Sequence, residues 1–189
     1  MASYPYEGYW EDIGTVKSFF LANIELTDNI PAFNMHDSRN GVYTHPRMLP
    51  PTKLFGTIIN KALISEGSII HAKSIETSVI GIRTRIEENS VLKNAVVFGN
   101  DYYENLDQLL DESVVNMGIG KNCHIENAIL DKDCRISDNV CIVGSDHLED
   151  KETPTYIIKD GIVVIRKGAL IPEGSYIGCK EAAARVGNA

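Results

Sequence analysis

Residues 118–142 read GIGKNCHIENAILDKDCRISDNVCI, and their aliphatic side chains fall at Ile119, Ile125, Leu130, Ile136 and Ile142. A helix face recurs about every 3.6 residues and a strand face every second one, so a step of six with one slip to five belongs to neither. Working outward, the same step links Ile58, Ile64 and Ile70, then Ile80, Ile86 and Leu92, and finally Ile165, Ile171 and Ile177. Turn-forming stretches follow the aliphatics, as in ISEGS, IGKNC, ISDNV and IPEGS. Each unit is therefore a short strand and a tight corner. Three units close a triangular coil of about 18 residues, and coils stack in parallel at roughly 4.8 Å. A sandwich of short strands would instead alternate with period two between turns about 8–12 residues apart. The fold class is mainly β, a hexapeptide-repeat parallel β-helix over residues 57–178.

The remainder of the chain has a different character. Val16, Phe19, Phe20 and Ile24 stand at helical spacing behind Thr15, a suitable N-cap, which predicts a short amphipathic helix near 15–26. Residues 31–56 contain four prolines and read as a linker laid over a surface. Two segments escape the six-residue period: the acidic, partly helical 100–113 and the polar 144–156. Such excursions are where a narrow prism can place contacts and function. The tail, 179–189, is a helix former expected to cap the last coil.

Of the 189 residues, 43% are hydrophobic and 23% charged, enough to build a core and too many for a disordered linker. The balance of 18 basic against 26 acidic residues gives −8, the wrong sign for a general nucleic-acid partner. No apolar run is long enough to span a membrane, and the N-terminal segment MASYPYEGYWED lacks the basic and apolar regions of a signal peptide. The expected location is cytoplasmic, or a plastid if the source is a plant. Cys123, Cys134, Cys141 and Cys179 form no CxxC pair and no disulfide scaffold, and are expected to be small buried apolar residues.

Three groups could carry chemistry. Asp12, behind Tyr9, Trp10 and Glu11 and before a glycine turn, can hold Mg²⁺ beside a phosphate or simply cap the turn. Arg47, Lys53, Arg83, Arg85, Lys132, Arg135, Arg166 and Lys167 form a basic set in an acidic chain. Lys132 follows Leu130 by two and Lys167 follows Ile165 by two, so with the second excursion looped out they occupy one face of adjacent coils. Like charges stacked so closely repel unless an anion lies between them, whereas splayed surface lysines need none. His71 and His124 lie in the coil, as a general base would in a hexapeptide acyltransferase, but no partner carboxylate is evident close in sequence and both are expected to face solvent at corners.

The segments YEGYWEDIGTVKSFFLANIELT, YTHPRMLPPTK, IETSVIGIRTRIEENSVL, VVFGNDYYEN, GIGKNCHIENAILDKDCRISDNVCI and YIIKDGIVVIRKGALIPEG, in this order, resemble the glucose-1-phosphate adenylyltransferases (ADP-glucose pyrophosphorylases) of cyanobacterial and plant type. The resemblance implies a nucleotide-binding domain followed by a left-handed β-helix used in regulation and tetramer contacts. The activity it implies joins ATP and glucose 1-phosphate into ADP-glucose and pyrophosphate with Mg²⁺, toward glycogen or starch. By position, Asp12 corresponds to the family's second metal aspartate. Lys132 and Lys167 correspond to lysines that bind a phosphorylated activator, 3-phosphoglycerate in this branch, or phosphate. Arg47, Arg83 and Arg135 are further candidates for that anion region. On this resemblance residues 1–30 are a remnant of the catalytic domain. The family's glycine-rich nucleotide loop, first metal aspartate and sugar-binding glutamate–lysine motif precede YEGYW and do not occur in these 189 residues. The expectation is a regulatory and assembly fragment, inactive alone. The alternatives are a hexapeptide acyltransferase and a free-standing assembly module.

Overall fold

The computed structural model describes residues 3–39, 41–111 and 113–179. The tail beyond Cys179 lies outside the described residues. The coil has three faces. The first is built from Lys53–Leu54, Ile69–Ile70, Arg85–Ile86, Gly118–Ile119, Arg135–Ile136 and Leu170–Ile171, all parallel. The second and third come from the seven-residue strands Ile58–Ile64, Ser74–Ile80, Val91–Val97 and His124–Leu130, each bent at a corner, and are continued by Cys141–Val143 and Ile162–Ile165. The inward aliphatics Ile70, Ile75, Ile80, Ile86, Leu92, Ile125, Ile142 and Ile165 are fully buried and stack coil upon coil.

The corners explain why the repeat closes. Lys61, Thr77, Asn94 and Asn127 turn the second face into the third with positive φ, and Asn89, Asn122 and Asn139 turn the first into the second. That conformation costs an ordinary residue ~1–2 kcal/mol, and asparagine tolerates it best after glycine. Stacking then satisfies the amides. Asn89 donates to Asn122 and Asn122 to Asn139, both at 3.2 Å, and Asn139 donates to Glu173 at 3.0 Å.

The first coil departs from the six-residue step. Ile58 pairs with Ser74 on the outer side and is 69% exposed, while Ile59 pairs with the buried Ile75, so the inward step to Ile64 is five residues. Lys53–Leu54 already pairs with Ile69–Ile70, so regular coil begins inside the proline-rich stretch. Two cysteines match the expectation of small buried residues and two depart from it. Cys123 and Cys134 are free, buried corner fillers whose thiols burial pushes up to about 11 and about 12, whereas Cys141 and Cys179 form a disulfide. The register sets Cys141 opposite Tyr176, which brings Cys179, just past Ile177, alongside it.

The helix α1, Val16–Glu25, starts at Thr15, whose side chain accepts from Ser18 N at 3.0 Å. Its buried Phe20 packs on the outer side of the third face, against Val96, Ile129 and Ile162. Phe19 meets Phe98 edge to face, with ring centroids 5.8 Å apart. The second excursion ends in a hairpin: Tyr156–Lys159 runs antiparallel to Ile162–Ile165 through the turn Asp160-Gly161, where both residues have positive φ. Tyr156–Lys159 thereby covers the edge of the third face, and Lys151–Glu152 pairs antiparallel on its outer side.

Candidate anion-binding site

The corner from the third face to the first passes through 81–84, 131–134 and 166–169. Pairing of Leu130 with Ile165 sets Lys132 beside Lys167 in the next coil, and Gly168 N donates to Lys132 O at 2.8 Å. One coil earlier the chain leaves the prism at this same corner. Gly99, at φ +77°, sits so tightly over the preceding coil that a Cβ there would lie 2.0 Å from Ile82 O. The first excursion starts directly after it.

Asp101 stands in front of the two lysines. Its Oδ1 accepts from Lys132 Nζ and its Oδ2 from Lys167 Nζ, the latter at 2.7 Å. Asp101 N donates to Asp133 Oδ1 at 2.8 Å, and Asp133 Oδ2 lies 3.7 Å from Lys167 Nζ. The hydrogen bonds from Lys132 and then Lys167 hold the Asp101 carboxyl down to about 2, and the bond to Asp101 raises the Lys167 ammonium. All three side chains remain open to solvent, at 37%, 56% and 39% exposure for Lys132, Lys167 and Asp101. The anion between the stacked ammonium groups is thus a carboxylate from the chain itself.

Arg83 and Arg135 hold the same excursion farther along. Arg83 Nη1 donates to Asn100 O at 3.2 Å, Asn100 Nδ2 returns a bond to Arg83 O at 2.9 Å, and the guanidinium lies over the Tyr103 ring. Arg135 Nη1 donates to Glu104 Oε1 at 2.6 Å and to Val115 O. Glu104, only 4% exposed, accepts from Met117 N at 2.8 Å, so one ion pair ties the excursion's beginning to its end. Its middle carries α2, Leu106–Leu110.

Residues 47–176 match the model of the GLGC left-handed parallel beta-helix domain. The chain belongs to this family. It is also similar to the chloroplastic/amyloplastic glucose-1-phosphate adenylyltransferase small subunit of Triticum aestivum, 41% identical over 181 residues. That match covers 93% of this chain and 38% of the relative's length. The coil of this GLGC domain is accordingly left-handed, against the usual right-handed crossover of parallel strands.

Within the GLGC β-helix the candidates separate. Lys132 and Lys167 converge. Arg83 and Arg135 are engaged by the first excursion, Arg85 pairs with Glu87 at 2.5 Å, and Arg166 pairs with Glu152. Arg47 is exposed in the proline segment and makes no ion pair among the described residues. Asp12 is exposed and accepts from Gly14 N at 2.9 Å, the turn-capping role. No group of three His, Cys, Asp or Glu side chains converges around a metal position among the described residues. Asp12 offers one carboxylate of the six oxygen ligands that an octahedral Mg²⁺ takes.

The histidine reading needs correction too. His71 is partly buried and stacks on Phe55 at 4.0 Å between centroids. His124 is half-buried and has a partner: its Nε2 lies 3.4 Å from Glu126 Oε2, because residues two apart on a strand share a side, while its Nδ1 is buried without a partner. The residues missed from sequence are Asp101, Glu104 and Asp133. Their signal was the acidic start of an excursion leaving the coil one turn before Lys132.

Proposed function

We propose that this chain is the effector-sensing and assembly part of a glucose-1-phosphate adenylyltransferase, in which Lys132 and Lys167 bind the phosphate of a small phosphorylated activator such as 3-phosphoglycerate, or phosphate itself. The observation that carries the reading is the convergence of two ammonium groups from successive coils on one carboxylate. A phosphate offers more oxygens and more charge than a carboxylate to the same donors. The intact enzyme would join ATP and glucose 1-phosphate into ADP-glucose and pyrophosphate, in a tetramer, with Asp12 supplying one carboxylate toward Mg²⁺. The similarity to a small subunit of that name supports this wider reading. A location in the plastid or cytoplasm follows from it.

The chain alone should not carry out adenylyl transfer, since no glycine-rich phosphate loop occurs in the sequence. Pyrophosphate release from ATP and glucose 1-phosphate above a blank would contradict this. For the effector site, phosphate and 3-phosphoglycerate are titrated against amide shifts of the wild type, Lys132→Ala and Lys167→Ala. Each alanine should weaken binding by about tenfold or more, one charge-assisted bond being worth ~1.5–3 kcal/mol. Equal responses in all three proteins would sink the site.

A further inference from the structure

We infer that Asp101 is a tethered competitor for the anion site, so that an incoming phosphate must displace it and thereby frees the start of the first excursion. The inference rests on the effector-site reading above and adds its regulation. Three observations support it. The two Asp101 oxygens are divided between the lysines, Oδ1 to Lys132 and Oδ2 to Lys167, and so occupy the donor positions that two oxygens of a phosphate would use. Asp101 is also held in place by its neighbour, because Asn100 exchanges hydrogen bonds with Arg83 in both directions. Finally, the whole arrangement faces solvent, so an external anion can reach it.

The tether gives the carboxylate a high effective concentration at the lysines, of millimolar order for a short connection. A monoanion in free solution gains little by replacing it. A dianionic phosphate offers a second charge and a third oxygen, so the site selects by charge as well as by shape. On displacement Asp101 loses both lysine bonds, and its main-chain bond to Asp133 is the remaining anchor at that residue. Of the cationic anchors of the excursion, Arg83 and Arg135 then remain, beside that main-chain bond and the bond from the Tyr103 hydroxyl to Gly67 O at 3.0 Å. Effector binding would thus be read out as loosening of residues 101–104 rather than ordering.

The test compares the wild-type chain with Asp101→Asn, which keeps the shape and removes the charge, and with Asp101→Ala. The probes are inorganic phosphate and glycerol phosphate, each at fixed ionic strength, with Lys132→Ala placed in the wild-type and Asp101→Asn backgrounds. Removal of the competitor should tighten phosphate binding by about tenfold, and Lys132→Ala should weaken it by about tenfold or more in both backgrounds. In the wild type, saturating phosphate should speed hydrogen exchange at 101–104. Tightening for glycerol phosphate and not for inorganic phosphate would assign the site to phosphate esters. Unchanged or weaker binding in both Asp101 variants, with Lys132→Ala still weakening it, overturns the competitor and leaves the site. No binding in any variant overturns the site and the inference together.

Discussion

The two excursions leave the same prism and are held to it by different forces. Residues 144–161 return as a hairpin whose strand Ile162–Ile165 lies in the third face, and backbone hydrogen bonds on both sides fix it. Among the described residues, 100–117 make no strand pairing before Gly118; beyond the main-chain bond from Asn100 N to Ile82 O at 2.9 Å, they are held to the coil by side chains, chiefly through Asp101 to Lys132 and Lys167 and through Glu104 to Arg135. Ladder bonds shielded by neighbouring strands are insensitive to salt and solutes. Exposed ion pairs are screened by salt and can be traded for a competing ion. The hairpin is therefore part of the scaffold, and the first excursion is the part that can respond.

The largest effect should come from the scaffold they share. Ile136 is buried on the first face, and Ile136→Asp would place an unpaired charge in the core at a cost of several kcal/mol. Both excursions should then lose protection together, with a lower urea midpoint. An unchanged midpoint would break the β-helix account. Glu104→Ala comes next. Removing one partner of this largely buried pair should cost ~3 kcal/mol, and the loss should be local. Hydrogen exchange should accelerate at Met117 and across 101–110, while 156–165 stay protected. Equal acceleration in both segments would erase the distinction between them.

How much of this could be read in the sequence follows from the same contrast. The inward aliphatics were legible because an inward position repeats at a fixed step. That step broke at Ile58, where a slip of one residue exchanges inner for outer face. The seat for α1 was also present, in the doublets Val79-Ile80, Val96-Val97, Ile129-Leu130 and Val164-Ile165, whose first members face outward. It went unread because the period marks only the second members. The Asp160-Gly161 turn carried a hairpin signal inside a stretch read as coil. For the site, Lys132 and Lys167 were legible because both obey the repeat. Asp101 and Glu104 lie outside any repeat, and their partners depend on where an irregular segment folds back.

A smaller effect sharpens the contrast. Raising the salt from 0.1 to 1 M shortens the screening length from about 10 to about 3 Å. Exchange at 101–104 should rise by a few-fold and that of 156–165 should not change. Parallel behaviour of the two segments would mean that charge does not hold the first excursion.

The most direct test is the titration of one carboxyl. Asp101, with Lys132 and Lys167 bonded to it, is held down to about 2 from an ordinary 3.8. A depressed carboxyl contributes to the clamp fully above the unfolded-state value and loses that contribution as pH falls through about 2. The carboxyl ¹³C shift of Asp101 should therefore still report the ionised form at pH 3. In Lys132→Ala its midpoint should move up toward 3.8. A wild-type carboxyl half-protonated near 3.8, unmoved by the substitution, would show that the two lysines do not share it.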